Sequence, residues 1–182
     1  MERSIGINKL KSIIHALDRA AQKAGVKNVR IILCGGLAAI AYGLHERTTL
    51  DIDAEMDADF KIIEKFKKNL RFPAELTTNI SRWSMIDIPK GYRKRAVPLD
   101  IIKAKNISVF LLSPLDLIIS KLRVFRDKDI QDALFLIKEF NIRKSDILKA
   151  SKQAIAQSPP STELLRFKKS LRYFIKLAYK GS

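Results

Sequence analysis

Two carboxylates one residue apart, Asp51 and Asp53 in "TTLDIDAEM", are the pair in this chain best suited to hold a cation. On a strand, residues two apart share a face and lie about 6.6 Å apart along the chain, so both carboxylates converge on one small volume while Ile52 points to the opposite side. Like charges so placed repel unless a cation lies between them; solvated acids on an exposed edge strand are the plainer alternative. Asp100 in "VPLDIIKA" is a third acid set among aliphatic residues, costly to bury without a partner. Upstream, Gly35 and Gly36 stand between the strand-like "NVRIIL" and an apolar helix. Glycines there allow a tight turn and a close backbone approach to a ligand, and the unpaired N–H groups of a helix start attract phosphate. A bare Gly-Gly also serves as a turn with no ligand. Three strand-borne carboxylates beside such a turn are what Mg²⁺-assisted phosphoryl or nucleotidyl transfer requires. The sequence contains neither G-x-x-x-x-G-K-[ST] nor G-x-G-x-x-G, which argues against P-loop and dinucleotide-binding chemistry.

The elements that must position these residues alternate in period. Leu10, Ile13, Ile14, Leu17 and Ala21 make an amphipathic first helix that Gly25 can end. Strands are expected in "NVRIIL", "TTLDIDAEM", "AELTTNI", "RWSMIDI", "AVPLDIIKA" and "ISVFLL", with the helix "DFKIIEKFKKNL" among them. Ser113, Pro114 and Asp116 fit the N-cap, N1 and N3 positions of a new helix, after which the pattern is helical to about Tyr179. The fold class is therefore α+β: residues 1–112 form a mixed β-sheet core flanked by helices, and residues 113–182 a helical module with a basic tail. Trp83 and Phe72 are most economically placed in the core.

Charge is the strongest global signal, with 35 Lys and Arg against 19 Asp and Glu, a net +16 over 182 residues. Such a surplus favours a polyanionic partner, although a solvated lysine-rich surface has the same composition. The clusters are "PKGYRKRAV" and "LLRFKKSLRYFIKLAYK"; in the second, Leu164, Phe167, Leu171 and Phe174 recur at helical spacing and so face a core. Pro114 and Asp116 interrupt the richest apolar stretch, short of the roughly 18 residues of a membrane span. A start without a long apolar core, together with a single cysteine, Cys34, fits the reducing cytoplasm. Cys34 reads as a small buried hydrophobe, and His15 and His45 lack the partners a zinc site needs.

Gly35, Gly36, the run Arg47-x-Thr49-x-Asp51-Ile52-Asp53 and the distant Asp100 together resemble the polymerase-beta-type nucleotidyltransferase superfamily, within it the minimal nucleotidyltransferases of the abortive-infection toxin (AbiEii) type. The segment "SPLDLIISKLRVFRDKDIQDALFLIKEF" is similar to that family's helical segment, with its lysine, Arg, Lys-Asp and further Asp, so the resemblance runs from about Val29 to Phe140. It implies a nucleotidyltransferase fold and transfer of a nucleoside monophosphate from an NTP to an acceptor, dependent on Mg²⁺ or Mn²⁺. It also implies roles. Gly35 and Gly36 would hold the triphosphate, Asp51 and Asp53 the bridging metal, and Asp100 a second metal and the attacking group. Lys121 would bind phosphate, and Arg47 and Thr49 would shape the nucleotide end of the cleft. The interval from Gly36 to Asp51 is slightly longer than the family commonly shows. Asp129 and Asp132 share a helix face, where an ion pair with Lys128 or Arg126 is expected.

The basic balance makes RNA the expected acceptor, a tRNA 3′ end among the candidates. A toxin role with a cognate antitoxin rests on the resemblance alone. The alternative from another class is a catalytically silent copy of the fold that binds RNA or a protein. A transferase acting on cationic aminoglycosides would favour an acidic rim, against the charge.

Overall fold

The structure, a computed structural model, describes residues 2–44, 49, 51–101 and 103–180, with side chains from Asn8 onward. The chain forms two compact units, Met1–Ile80 with Ala96–Leu112, and Ser81–Arg95 with Ser113–Ser182. Ser81–Arg95 thus belongs with the later helices rather than with the sheet that surrounds it in sequence.

In the first unit, strands β1 (Val29–Leu33), β2 (Ile52–Met56), β3 (Ala74–Thr77), β4 (Val97–Pro98) and β5 (Ile107–Leu111) form a mixed sheet in the order β3-β2-β1-β5-β4. β1 runs antiparallel to β2 and parallel to β5, β2 runs parallel to β3, and β4 runs antiparallel to β5. Register gives the sheet two unlike faces. The rows Ile31–Met56 and Leu33–Ala54 continue into Val109, Leu111 and Leu76, all buried and apolar. The opposite face carries Asp53, Glu55, Glu75 and Thr77. Helices α1 (Glu2–Ala24), α2 (Gly35–Ala41) and α3 (Phe60–Lys68) supply the remaining core of this unit. The apolar stripe of α1 from Leu10 to Ala21 is buried, as are Ile63 and Phe66 of α3. Asp59 caps α3 by accepting a hydrogen bond from the Ile62 N–H at 2.9 Å. Gly25, at φ +73°, follows α1 as the left-handed cap that spacing predicts.

The second unit consists of the one-turn helix α4 (Tyr92–Arg95) and helices α5 (Pro114–Val124), α6 (Asp127–Phe140), α7 (Lys144–Gln157) and α8 (Thr162–Ala178). The Ser113 hydroxyl accepts from the Asp116 N–H and donates to the Asp116 carboxylate at 2.6 Å, so the expected start of α5 is realised. The Leu164, Phe167, Leu171 and Phe174 stripe of α8 is buried, as its spacing requires.

"RWSMIDI" is not a strand. A 3₁₀ turn over Ile80–Trp83 leads into an irregular segment. Ile86 and Ile88 are buried, which explains the strand-like alternation, but their N–H groups donate to the hydroxyls of Ser84 and Ser81, each at 3.1 Å. The Asp87 N–H donates to Ser158 Oγ at 2.8 Å. Serine oxygens therefore take the place of a ladder for the N–H groups of Ile86, Asp87 and Ile88, which find partners without a neighbouring strand. Trp83, expected in the core, is 41% exposed, and Phe72 is half-buried.

Candidate active site

The end of β1 and the start of β2 meet at a glycine turn. The Cys34 N–H donates to the Asp53 carbonyl at 2.9 Å, and the buried Cys34 thiol lies 3.3 Å from the same oxygen. Gly35 then turns the chain into α2 with φ +62°, a conformation L side chains rarely adopt. A Cβ at this position would stand 2.8 Å from Asp53 Cγ and 2.9 Å from its Cβ and would overlap the carboxylate. Glycine is required here on two counts, and the result is a helix start in direct contact with the half-buried Asp53.

Asp51 precedes β2 and is exposed; the Thr49 hydroxyl donates to it at 2.7 Å, and the Lys9 ammonium donates to the Thr49 carbonyl at 2.5 Å. Thr49 and Asp51 are thereby joined, as are Gly35 and Asp53. Gly36 is buried in the first turn of α2. Arg47 and His45 lie outside the described residues. Glu55, on the Asp53 face, is 4% exposed and accepts from the Ile80 N–H at 2.9 Å, which gives it a structural role.

Asp100 does not join this pair. β4 spans only Val97–Pro98, with Val97 opposite Leu111, Pro98 opposite Phe110 and the Leu99 N–H donating to Val109, and Asp100 follows it as an exposed residue. In the strand order, β1 and β5 separate β4 from β2. Asp100 thus follows a strand that is not a neighbour of the one carrying Asp53. The acid that register brings beside Asp53 is Glu75, its Cα partner on the parallel neighbour β3. Parallel partners project to the same face, and Glu75 is exposed. Its sequence signal was the one used for Asp100, an acid between aliphatic residues in "AELT", but only strand order separates the two.

Lys121 is also placed differently from its expected role. Its ammonium is buried in the second unit, 2.6 Å from Asp132 and 3.4 Å from Asp129. Arg126 completes the cluster with its Nε 2.9 Å from Asp129. The pairing expected of Arg126 is present, and Lys121 fastens α5 to α6 with its charge already met by two carboxylates.

Among the described residues, no three His, Cys, Asp or Glu side chains stand close enough together to hold a metal ion by themselves. Mg²⁺ does not require such a cage, since it is commonly held by one or two carboxylates with substrate phosphates and water. The oxygen-only pair Asp51 and Asp53, beside a turn that a single Cβ would fill, fits that ion. Among the described residues no helix is long and apolar enough to cross a membrane.

Neither the curated proteins nor the solved structures contain a match to this chain. A family described as nucleotidyltransferase of unknown function matches residues 8–176, a span that takes in the glycine turn, the paired aspartates, the sheet and nearly all of the helical unit. With that extent matched and the site geometry in place, the chain belongs to this family of nucleotidyltransferases (DUF6036).

Proposed function

We propose that the protein transfers a nucleoside monophosphate from an NTP to an RNA acceptor, with loss of pyrophosphate. The observation that carries this reading is the contact between Gly35 and Asp53, which joins a helix start to the paired aspartates. Asp51 and Asp53 would hold Mg²⁺ or Mn²⁺, which when bound supplies charge neutralisation on the triphosphate. The backbone of Gly35 and Gly36 would receive phosphate oxygens, and Thr49 would keep Asp51 oriented through its hydrogen bond. Arg47 retains the role the resemblance gives it at the nucleotide end. Glu75 replaces Asp100 as the third acid, accepting the proton of the attacking hydroxyl as its oxygen bonds to the α-phosphorus and the pyrophosphate oxygen leaves. Lys121 is assigned to holding the helical unit together rather than to phosphate.

RNA is supported as acceptor by the net +16, and a toxin role paired with an antitoxin stays with the resemblance. The test is incubation with each α-labelled NTP, Mg²⁺ or Mn²⁺ and total RNA. Label should enter RNA with wild type and not with Asp53→Asn. A silent binding module is favoured by the lack of a ready-made three-acid set among the described residues. It predicts RNA binding with no label transferred by either protein.

A further inference from the structure

The chain's charge is unevenly divided. The unit of Ser81–Arg95 and Ser113–Ser182 has 20 Lys and Arg against 8 Asp and Glu, a net +12, whereas the sheet unit has 15 against 11, a net +4. The residues proposed for chemistry therefore sit on a nearly balanced unit, and the helical unit carries the polycation.

Within that unit, Ser81–Arg95 is a strap fixed from beneath. Ile86 and Ile88 are buried anchors, and Asp87 is held by Ser158. The Lys90 N–H donates to Gln157 at 3.2 Å. Arg95 donates to both Asp116 oxygens, at 2.9 and 2.8 Å, and to the carbonyls of Pro89 and Lys90. Arg123 holds the Ser81 carbonyl at 3.1 Å. The outward side of the strap exposes Arg82, Trp83, Met85, Lys90, Arg93 and Lys94. Trp83 is the chain's single tryptophan; at 41% exposure it presents part of its indole on a basic, backbone-fixed strap, beside exposed Arg82 and Met85.

We infer that this strap is the docking surface for a single-stranded end of the RNA acceptor, with Trp83 stacking on an unpaired base and Arg82, Arg93 and Lys94 meeting phosphates. The inference rests on the RNA acceptor of the proposed function and adds where that acceptor is gripped. A base offers its face to an indole only when unstacked, which selects a single strand over a duplex. Phosphate contact by the three cations gives affinity without base readout, so sequence preference should be weak.

The sole tryptophan makes the test direct. The full-length protein is titrated with a 12-nucleotide oligouridylate at several salt concentrations, reading Trp83 fluorescence and the anisotropy of the labelled RNA. The expected result is quenching that tracks anisotropy, with affinity falling steeply as salt rises. Trp83→Leu should weaken binding about tenfold. Arg93→Ala with Lys94→Ala should lower the log-log salt slope by about 2. RNA bound with unchanged fluorescence and unchanged affinity in both variants would overturn the proposal, as would equal affinity for a duplex of the same length. The thermal shift of wild type with Mg²⁺ and NTP is measured in parallel. Loss of that shift with RNA binding intact sinks the proposed reaction and not the docking surface; the reverse pattern sinks the docking surface alone.

Discussion

Gly35 and Asp53 occupy space that admits one or the other but not a Cβ and a carboxylate together. The left-handed φ of Gly35 and its contact with the D-x-D strand thus act in one residue. Gly35→Ala should destabilise the protein by about 2–4 kcal/mol, the sum of backbone strain and overpacking. Gly25→Ala provides the control, because Gly25 also has positive φ but open space around it, and its cost should be about 1–2 kcal/mol. Urea unfolding of the two variants checks the difference; equal costs would mean that the carboxylate moves freely aside.

Mg²⁺ with an NTP should raise the melting temperature, because binding to the native state alone stabilises it. Asp53→Asn should remove most of that shift. A shift of wild-type size in the variant would disprove the metal assignment.

The two candidate third acids make opposite predictions. Glu75→Gln should lower label transfer by about a hundredfold or more, since Glu75 is register partner to Asp53. Asp100→Asn should transfer label at nearly the wild-type rate, because it follows a strand that is not a neighbour of β2. Measuring initial rates for both variants decides between them.

Lys121→Met should cost about 3 kcal/mol or more, because it leaves Asp129 and Asp132 buried with less compensating charge. Adding Asp132→Asn should recover part of that loss. The denaturation midpoints of the single and double variants test this, and no recovery would mean that the two side chains are not coupled.

Tyr179 supplies a pH dependence. Burial first, and then the negative charge of Asp146, raise its phenol above the usual value of 10.0, and its hydroxyl donates to the Ile142 carbonyl at 2.6 Å. The fold favours the neutral form, so this contribution is fully present below the unfolded value and is lost as pH rises through the folded one. Between about pH 9 and 12, wild type should lose more stability than Tyr179→Phe, as read by urea midpoints at each pH.

Periodicity alone determined much of this protein. The stripe of α1, the cap and proline that start α5, the buried stripe of α8 and the glycine turn before the paired aspartates follow from local rules of sterics and hydrogen bonding, which neighbours in sequence satisfy by themselves. Tertiary structure decided what depends on long-range register. Asp100 and Glu75 look alike as acids among aliphatic residues, and only the order β3-β2-β1-β5-β4 seats Glu75 beside Asp53 and removes Asp100 to the far edge. The resemblance gives Lys121 a phosphate-binding role, but the fold brings Asp129 and Asp132 to its ammonium, and a buried charge takes the nearest partner. "RWSMIDI" alternates like a strand, yet Ser84, Ser158 and Ser81 accept from the N–H groups of Ile86, Asp87 and Ile88, and Trp83 is left partly exposed. Buried charges and backbone N–H groups need partners whatever the fold, and for Asp53 and Asp87 the neighbour, Glu75 or Ser158, is one that only folding brought near.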